Sequence, residues 1–100
     1  MAKEIVWSAL AIHDRKNILS YWINRNHSKL YSIKLDMLIR EAVKLIAEYP
    51  FIGKPTDARG IRAKKVRDYF ILYTVKENQI QILTIWDTRQ DPQDLKERLK

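Results

Sequence analysis

The 100-residue sequence predicts an α+β fold of two layers, in which an N-terminal strand and a helical hairpin pack on an antiparallel sheet. Three observations carry that expectation. Apolar residues recur at helical spacing in two successive stretches before residue 50. After Gly60 the period changes to two, and two runs rich in aromatic and β-branched residues follow. Only three or so polar residues, Asn26-His27-Ser28, separate the two helical stretches, which favours antiparallel neighbours.

Ile5-Val6-Trp7 is a short β-prone run. Ser8 behind it is a good N-cap, because its hydroxyl can accept from a backbone N–H that the first helical turn leaves free. The first helix is expected from Ala9 to about Asn24, with Ala11, Ile12, Ile18, Leu19, Trp22 and Ile23 on its apolar side. Asn26 or Ser28 is expected to cap the second, whose stripe is Leu35, Leu38, Ile39, Ala42, Val43, Ile46 and Tyr49. Pro50 ends it, since the residue before a proline avoids the α region. Gly53, Pro55 and Gly60 mark residues 51–60 as an irregular connector. Residues 61–66 are moderately strand-like, with Arg67-Asp68 as a turn. Tyr69 to Val75 and Ile80 to Trp86 are strong strands, joined through residues 76–79, where Asn78 tolerates the left-handed conformation of a tight hairpin. These three form an antiparallel meander, strand one adds to an edge, and both helices cover one face. The whole chain, 1–100, reads as one domain, with 91–100 as a final helical turn or a mobile tail.

Composition narrows the function. Forty-six per cent of the residues are hydrophobic and 31% charged, a globular rather than a disordered balance. The absence of cysteine excludes disulfides, thiol nucleophiles and thiolate metal sites. The opening Met1-Ala2-Lys3-Glu4 has no apolar h-region, and no run approaches the ~20 residues that span a bilayer. A cytoplasmic protein with no membrane partner is expected. Two glycines cannot build a phosphate loop. His13 and His27 lack metal-ligand spacing, Asp14-Arg15-Lys16 reads as a solvated charge run, and neither a metal nor a cofactor is expected.

The net charge of +7 is uneven. Residues 51–67 carry Lys54, Arg59, Arg62, Lys64, Lys65 and Arg67 against Asp57 alone. Alternation puts Arg62 and Lys64 on one strand face and Lys65 and Arg67 on the other. Arg89 follows the last strand, within reach of that basic run in a meander. Such a surface attracts polyanions or acidic peptides, with arginine offering a planar fork and lysine a point charge. Arg89 also has Asp87 and Asp91 as local partners. Tyr69 and Tyr73 share a face and read as packing residues with polar tips.

This order, with particular residues, resembles the RelE/ParE superfamily of bacterial type II toxins. The carriers are Ile5-Val6-Trp7-Ser8 with Ala11, the helical hairpin ending Tyr49-Pro50, then Gly53 and the 61–65 stretch. The Tyr69-Phe70-Ile71-Leu72-Tyr73 strand and the run from Ile80 through Trp86 into Asp87-Thr88-Arg89 complete the set. The resemblance implies a toxin neutralised by a cognate antitoxin, often acidic, in a hetero-oligomer. It also implies one of two targets: DNA gyrase for ParE-like members, or the ribosome and its mRNA for RelE-like endoribonucleases.

For a RelE-like chain, Arg62 and Lys64 (or Lys65, depending on register) match the family's basic pair and Arg89 its arginine after the last strand. These three would be catalytic. In either case Arg59, Arg62, Lys64, Lys65, Arg67 and Arg89 are the expected antitoxin- or target-binding set. Two departures favour the ParE-like reading. Phe70 stands where ribonucleolytic members keep an arginine, and no tyrosine or histidine follows Arg89. A nucleic-acid-binding module whose residues 62–67 contact phosphates without chemistry is a third reading.

Overall fold

The computed structural model describes residues 2–99. Its elements run β1 (Glu4–Trp7), α1 (Ala9–Asn26), α2 (Leu30–Glu48), β2 (Lys54–Pro55), β3 (Ile61–Val66), β4 (Tyr69–Val75), β5 (Gln79–Asp87) and α3 (Pro92–Arg98). The five strands form one sheet in the order β1-β5-β4-β3-β2. Strands β2 to β5 pair antiparallel, as expected of a meander. β1 joins the edge of β5 but runs parallel to it, so the sheet is mixed. A parallel pair needs a long connection, and here the helices and three strands lie between the two partners.

Ser8 caps α1 as the sequence predicts, its Oγ accepting from Ala11 N–H at 2.9 Å. The same hydroxyl donates to the Leu83 carbonyl at 2.7 Å, so one side chain both starts the helix and pins it to β5. Leu83 is available because the β4–β5 register slips between Leu72 and Tyr73, which face Thr84 and Ile82. α1 continues to Asn26, and His27 closes it with φ 52°. The N-cap of α2 is Lys29, which makes no side-chain cap bond, rather than Asn26 or Ser28. Ser28 Oγ acts from one residue further out, accepting from Leu30 N–H at 3.2 Å.

The core lies between the hairpin and the sheet. Leu35, Ile39, Ala42, Val43 and Ile46 of α2 meet Ile71, Tyr73, Ile80, Ile82 and Ile85 of the sheet, and Ala11 is fully buried beneath α1. Ile18, Leu19 and Trp22 of α1 pack against that cluster. The helices are tied to each other by Ser32 Oγ donating to the Leu19 carbonyl at 3.0 Å and by Arg15 on Asp36 at 2.6 Å.

The connector after α2 is more ordered than Gly53, Pro55 and Gly60 suggest. Tyr73 Oη is fully buried, donates to the Pro50 carbonyl at 2.8 Å and accepts from Gly53 N–H at 2.9 Å. A Cβ on residue 53 would sit 2.6 Å from that oxygen, so glycine is required by close approach. Lys54 and Pro55 then pair with Ala63 and Arg62 as the short strand β2. The sequence also misplaces one turn conformation. Asn78 does not take a positive φ; among the described residues the non-glycine positive φ values fall at His27 and at Arg67, with φ 56° in the β3–β4 turn. At the other hairpin, Lys3 Nζ donates to the carbonyls of Lys76 and Glu77. The tail is helical at Pro92–Arg98, capped by Asp91 Oδ1 accepting from Gln93 N–H at 2.9 Å. No helix of the described residues is long and apolar enough to cross a membrane.

Candidate functional site

The β3–β4 turn and the end of β5 meet. Thr88 donates to the Asp68 carbonyl twice, from its N–H and from its hydroxyl, both at 2.8 Å. That clamp brings Arg67 and Arg89 to one end of the sheet. Arg89 is fixed there by Asp87. Its Nε and Nη2 reach the two carboxylate oxygens at 3.0 and 2.8 Å, and its backbone N–H adds a third bond at 2.9 Å. The guanidinium also lies 5.8 Å from the Trp22 ring centroid. A bidentate fork of this kind is the strong form of an arginine–carboxylate pair. It holds the Asp87 carboxyl below the usual carboxylate range and pushes the Arg89 guanidinium above its ordinary value. Opposite Asp87 on β4 stands Tyr69, whose hydroxyl accepts from Trp22 Nε1 at 2.8 Å. Burial pushes the Tyr69 phenol up.

Beside this pair opens a groove of about 660 Å³, lined among others by Asp14, Tyr21, Tyr69, Trp86, Arg89 and Arg98. Its floor carries the second polar cluster of the molecule. Asp14, only 7% exposed, accepts from the Thr84 hydroxyl, from Ile85 N–H at 3.2 Å and from Arg98 Nη2 at 2.8 Å. Arg98 Nη1 also reaches Thr84 Oγ1 at 3.1 Å, and its guanidinium lies 5.6 Å from the Trp86 centroid. Asp14 is therefore no part of a solvated charge run. The signal was present: Ala11, Asp14, Ile18 and Trp22 share one helical face, so Asp14 sits in the buried stripe of α1. Nothing in the sequence pairs it with Arg98, 84 residues away.

The expected binding residues divide between two places. Register puts Arg62 opposite Tyr73 and Lys64 opposite Ile71, on the face that meets the helices, with Lys65 opposite Phe70 on the other face. Arg67 is exposed in the turn and Arg59 is exposed in the loop before β3. Arg62 lies four residues from Val66, about 13 Å along the strand at ~3.3 Å per residue. It belongs to the connector, where Nη1 donates to the Gly53 carbonyl at 2.6 Å and the guanidinium stacks 4.9 Å from the Phe51 ring centroid. Arg67 and Arg89 are thus brought together, while Arg59 and Arg62 sit at the far end of β3. Among the described residues, Lys54, Arg59, Lys64, Lys65 and Arg67 make no ion pair with a carboxylate. Lys54, Arg59, Lys65 and Arg67 are exposed, and Lys64 is half-buried on the helix side of the sheet.

The arrangement can hold anions, and at the groove Asp87 and Arg89 satisfy each other. Phe70, opposite Lys65 and Trp86, contributes no charge. The same fold occurs in solved structures. The chromosomal ParDE toxin–antitoxin system from P. aeruginosa matches with a TM-score of 0.75 and 22% identity, over 86% of this chain and 96% of that one. The toxin–antitoxin complex RelBE2 from Mycobacterium tuberculosis matches with a TM-score of 0.63 and 14% identity, over 87% and 99%. No curated protein matches the sequence. The sequence model described as the ParE toxin of the type II toxin–antitoxin system parDE matches residues 5–92, nearly the whole chain, and on that match the protein belongs to the ParE toxin family.

Proposed function

We propose that this ParE-family toxin is neutralised by a cognate antitoxin and inhibits DNA gyrase by binding, without cleaving RNA. The observation that carries the choice between binding and cleavage is the Asp87–Arg89 fork. RNA cleavage by a ribose 2′-hydroxyl needs a cation free to meet the charge that develops on the phosphorane, and a group free to move protons. Here the arginine best placed for that work is already bound by a carboxylate in two hydrogen bonds. The absence of an arginine at Phe70 and of a tyrosine or histidine after Arg89 points the same way. Binding asks less of the surface: exposed cations at Arg59, Lys65 and Arg67, and exposed apolar residues such as Phe51. A soluble chain working on gyrase would do so in the cytoplasm.

Purified protein in a gyrase supercoiling assay, beside a translation extract mapped by primer extension, separates the mechanisms. Blocked supercoiling with intact mRNA is expected. Codon-phased mRNA cuts that vanish in Arg89→Ala would overturn the proposal in favour of a RelE-like ribonuclease. Binding to naked nucleic acid with neither effect would favour the non-catalytic module.

A further inference from the structure

The floor of the groove is shaped around the head group of Arg98. The Asp14 carboxylate there is only 7% exposed, and its two oxygens face different partners. Oδ2 accepts from the Thr84 hydroxyl and from Ile85 N–H, which ties it to the sheet. Oδ1 accepts from Arg98 Nη2 at 2.8 Å. Thr84 gives its own proton to Asp14, so its oxygen is an acceptor towards Arg98 Nη1, at 3.1 Å. The guanidinium lies 5.6 Å from the ring centroid of Trp86, itself a buried side chain. Two neighbouring acceptors and an indole ring match a planar fork, where a lysine would bring one point charge. Asp14, Thr84 and Ile85 hold one another, so the floor does not need Arg98 to keep its shape. The helix that delivers Arg98 is lightly attached: α3 is seven residues long and buries none of them. Arg89, the other arginine lining the groove, is matched by Asp87, which offsets its repulsion of a second cation.

We infer that Asp14, Thr84 and Trp86 form a guanidinium-binding pocket, filled intramolecularly by Arg98, which an arginine side chain of a partner polypeptide occupies in its place. The present occupant is itself a peptide-borne arginine, and the groove of about 660 Å³ leaves room beside it for a second main chain. An incoming arginine restores the same two hydrogen bonds and the same ring contact that Arg98 gives up, so the exchange is close to balanced in chemistry. What opposes it is the tether. A group on a short linker acts at an effective concentration on the order of millimolar or higher, and a competitor has to exceed that. Arg98 therefore sets a threshold: arginines in dilute solution do not displace it, whereas one presented by a partner already docked beside the groove does. Displacement then frees α3 from the body of the molecule. The inference stands on the pocket and does not depend on which target the toxin has.

The test uses the full chain, labelled with ¹⁵N, as wild type and as Arg98→Ala, with N-acetyl-arginine methylamide as the probe at constant ionic strength. Saturable shifts of Ile85 N–H and Trp86 Nε1–H are expected in Arg98→Ala, with at least tenfold weaker binding to the wild type. In the wild type, saturation should also move the amides of residues 93–98 towards their positions in Arg98→Ala. Lysine and citrulline analogues of the probe separate the fork from charge and from size, and each should bind at least tenfold more weakly than the arginine probe. If Arg98→Ala fails to fold, Arg98→Gln gives the same comparison. Equal binding by the two chains, a lysine analogue as good as the arginine one, shifts outside the groove and α3, or no binding at tens of millimolar probe overturns the inference. Free L-arginine bound at least tenfold more tightly than the blocked probe overturns the polypeptide source in favour of the free amino acid.

Discussion

Asp14→Ala should be the most damaging single polar substitution in the chain. It removes the one acceptor shared by the Thr84 hydroxyl, the Ile85 amide and Arg98. Thr84 is fully buried, and a buried donor left without a partner costs about 1–3 kcal/mol. Arg98, with 31% of its side chain exposed, recovers water and adds little. Thr84 can still accept from Arg98, so a loss of about 3 kcal/mol is expected rather than the full penalty for both donors. At about 4–8 °C per kcal/mol for a domain of this size, Tm should fall by about 12–24 °C. Arg98→Ala is the contrast. It leaves Asp14 with two donors, Thr84 and Ile85, at the floor of an open groove and should cost about 1 kcal/mol. Urea titrations followed by tryptophan fluorescence measure both, and equal m-values license the comparison. The double variant should cost more than Asp14→Ala alone but less than the sum of the two, since Arg98 then has no carboxylate to lose but still takes its bond to Thr84 with it. Arg98→Ala as costly as Asp14→Ala, or Asp14→Ala below about 1 kcal/mol, would refute the idea that Asp14 is a buried shared acceptor.

Gly53→Ala drives a Cβ to 2.6 Å from Tyr73 Oη and should cost about 1–3 kcal/mol by overpacking. In a Tyr73→Phe background the same substitution should cost less, because the obstructing oxygen is gone; a cycle of denaturation midpoints that is strictly additive contradicts this. Asp87 is held below its ordinary value, so its ion pair contributes stability above the unfolded carboxyl value near 3.8 and loses it as pH falls through the lower folded value. Arg89 is half exposed, which limits the effect to about 1 kcal/mol or less. A ¹³C-carboxyl titration should find Asp87 among the last carboxylates to protonate, and an ordinary value for it would rule out the fork in solution. Arg62→Lys, which cannot reproduce both the Gly53 bond and the Phe51 stack, should speed amide exchange at 51–54 while leaving β4 and β5 protected; unchanged exchange there would remove Arg62 from the connector.

The helices and the two long strands were legible because each writes its burial into a period. Leu35, Ile39, Ala42, Val43 and Ile46 recur at helical spacing and are the residues that α2 buries. The same logic failed where one residue outweighs a pattern. β2 is two residues long and contains a proline, so it has no period to detect, and it exists because Tyr73 and Arg62 hold the chain before it. The direction of β1 was equally hidden, since its partner arrives through the intervening elements. At the site, Arg89 and its two acidic neighbours were visible as alternatives, and geometry chose Asp87, two residues back. The exposed cations were legible from charge alone. Which arginine is structural was not: Arg62 and Lys64 share a face, but only Arg62 reaches the backbone of residue 53.

The parallel attachment of β1 to β5 also has a consequence in time. Ser8 grips Leu83, 75 positions further along, and Ile5 and Trp7 find their strand partners at Ile80 and Ile82. A chain emerging from the ribosome therefore holds its first strand without a neighbour until the fifth has been made. Contacts so far apart in sequence close late and slowly. For a member of a toxin family this ordering postpones the finished sheet until β5 has been made, so the fold is completed only after every element before β5 is already out.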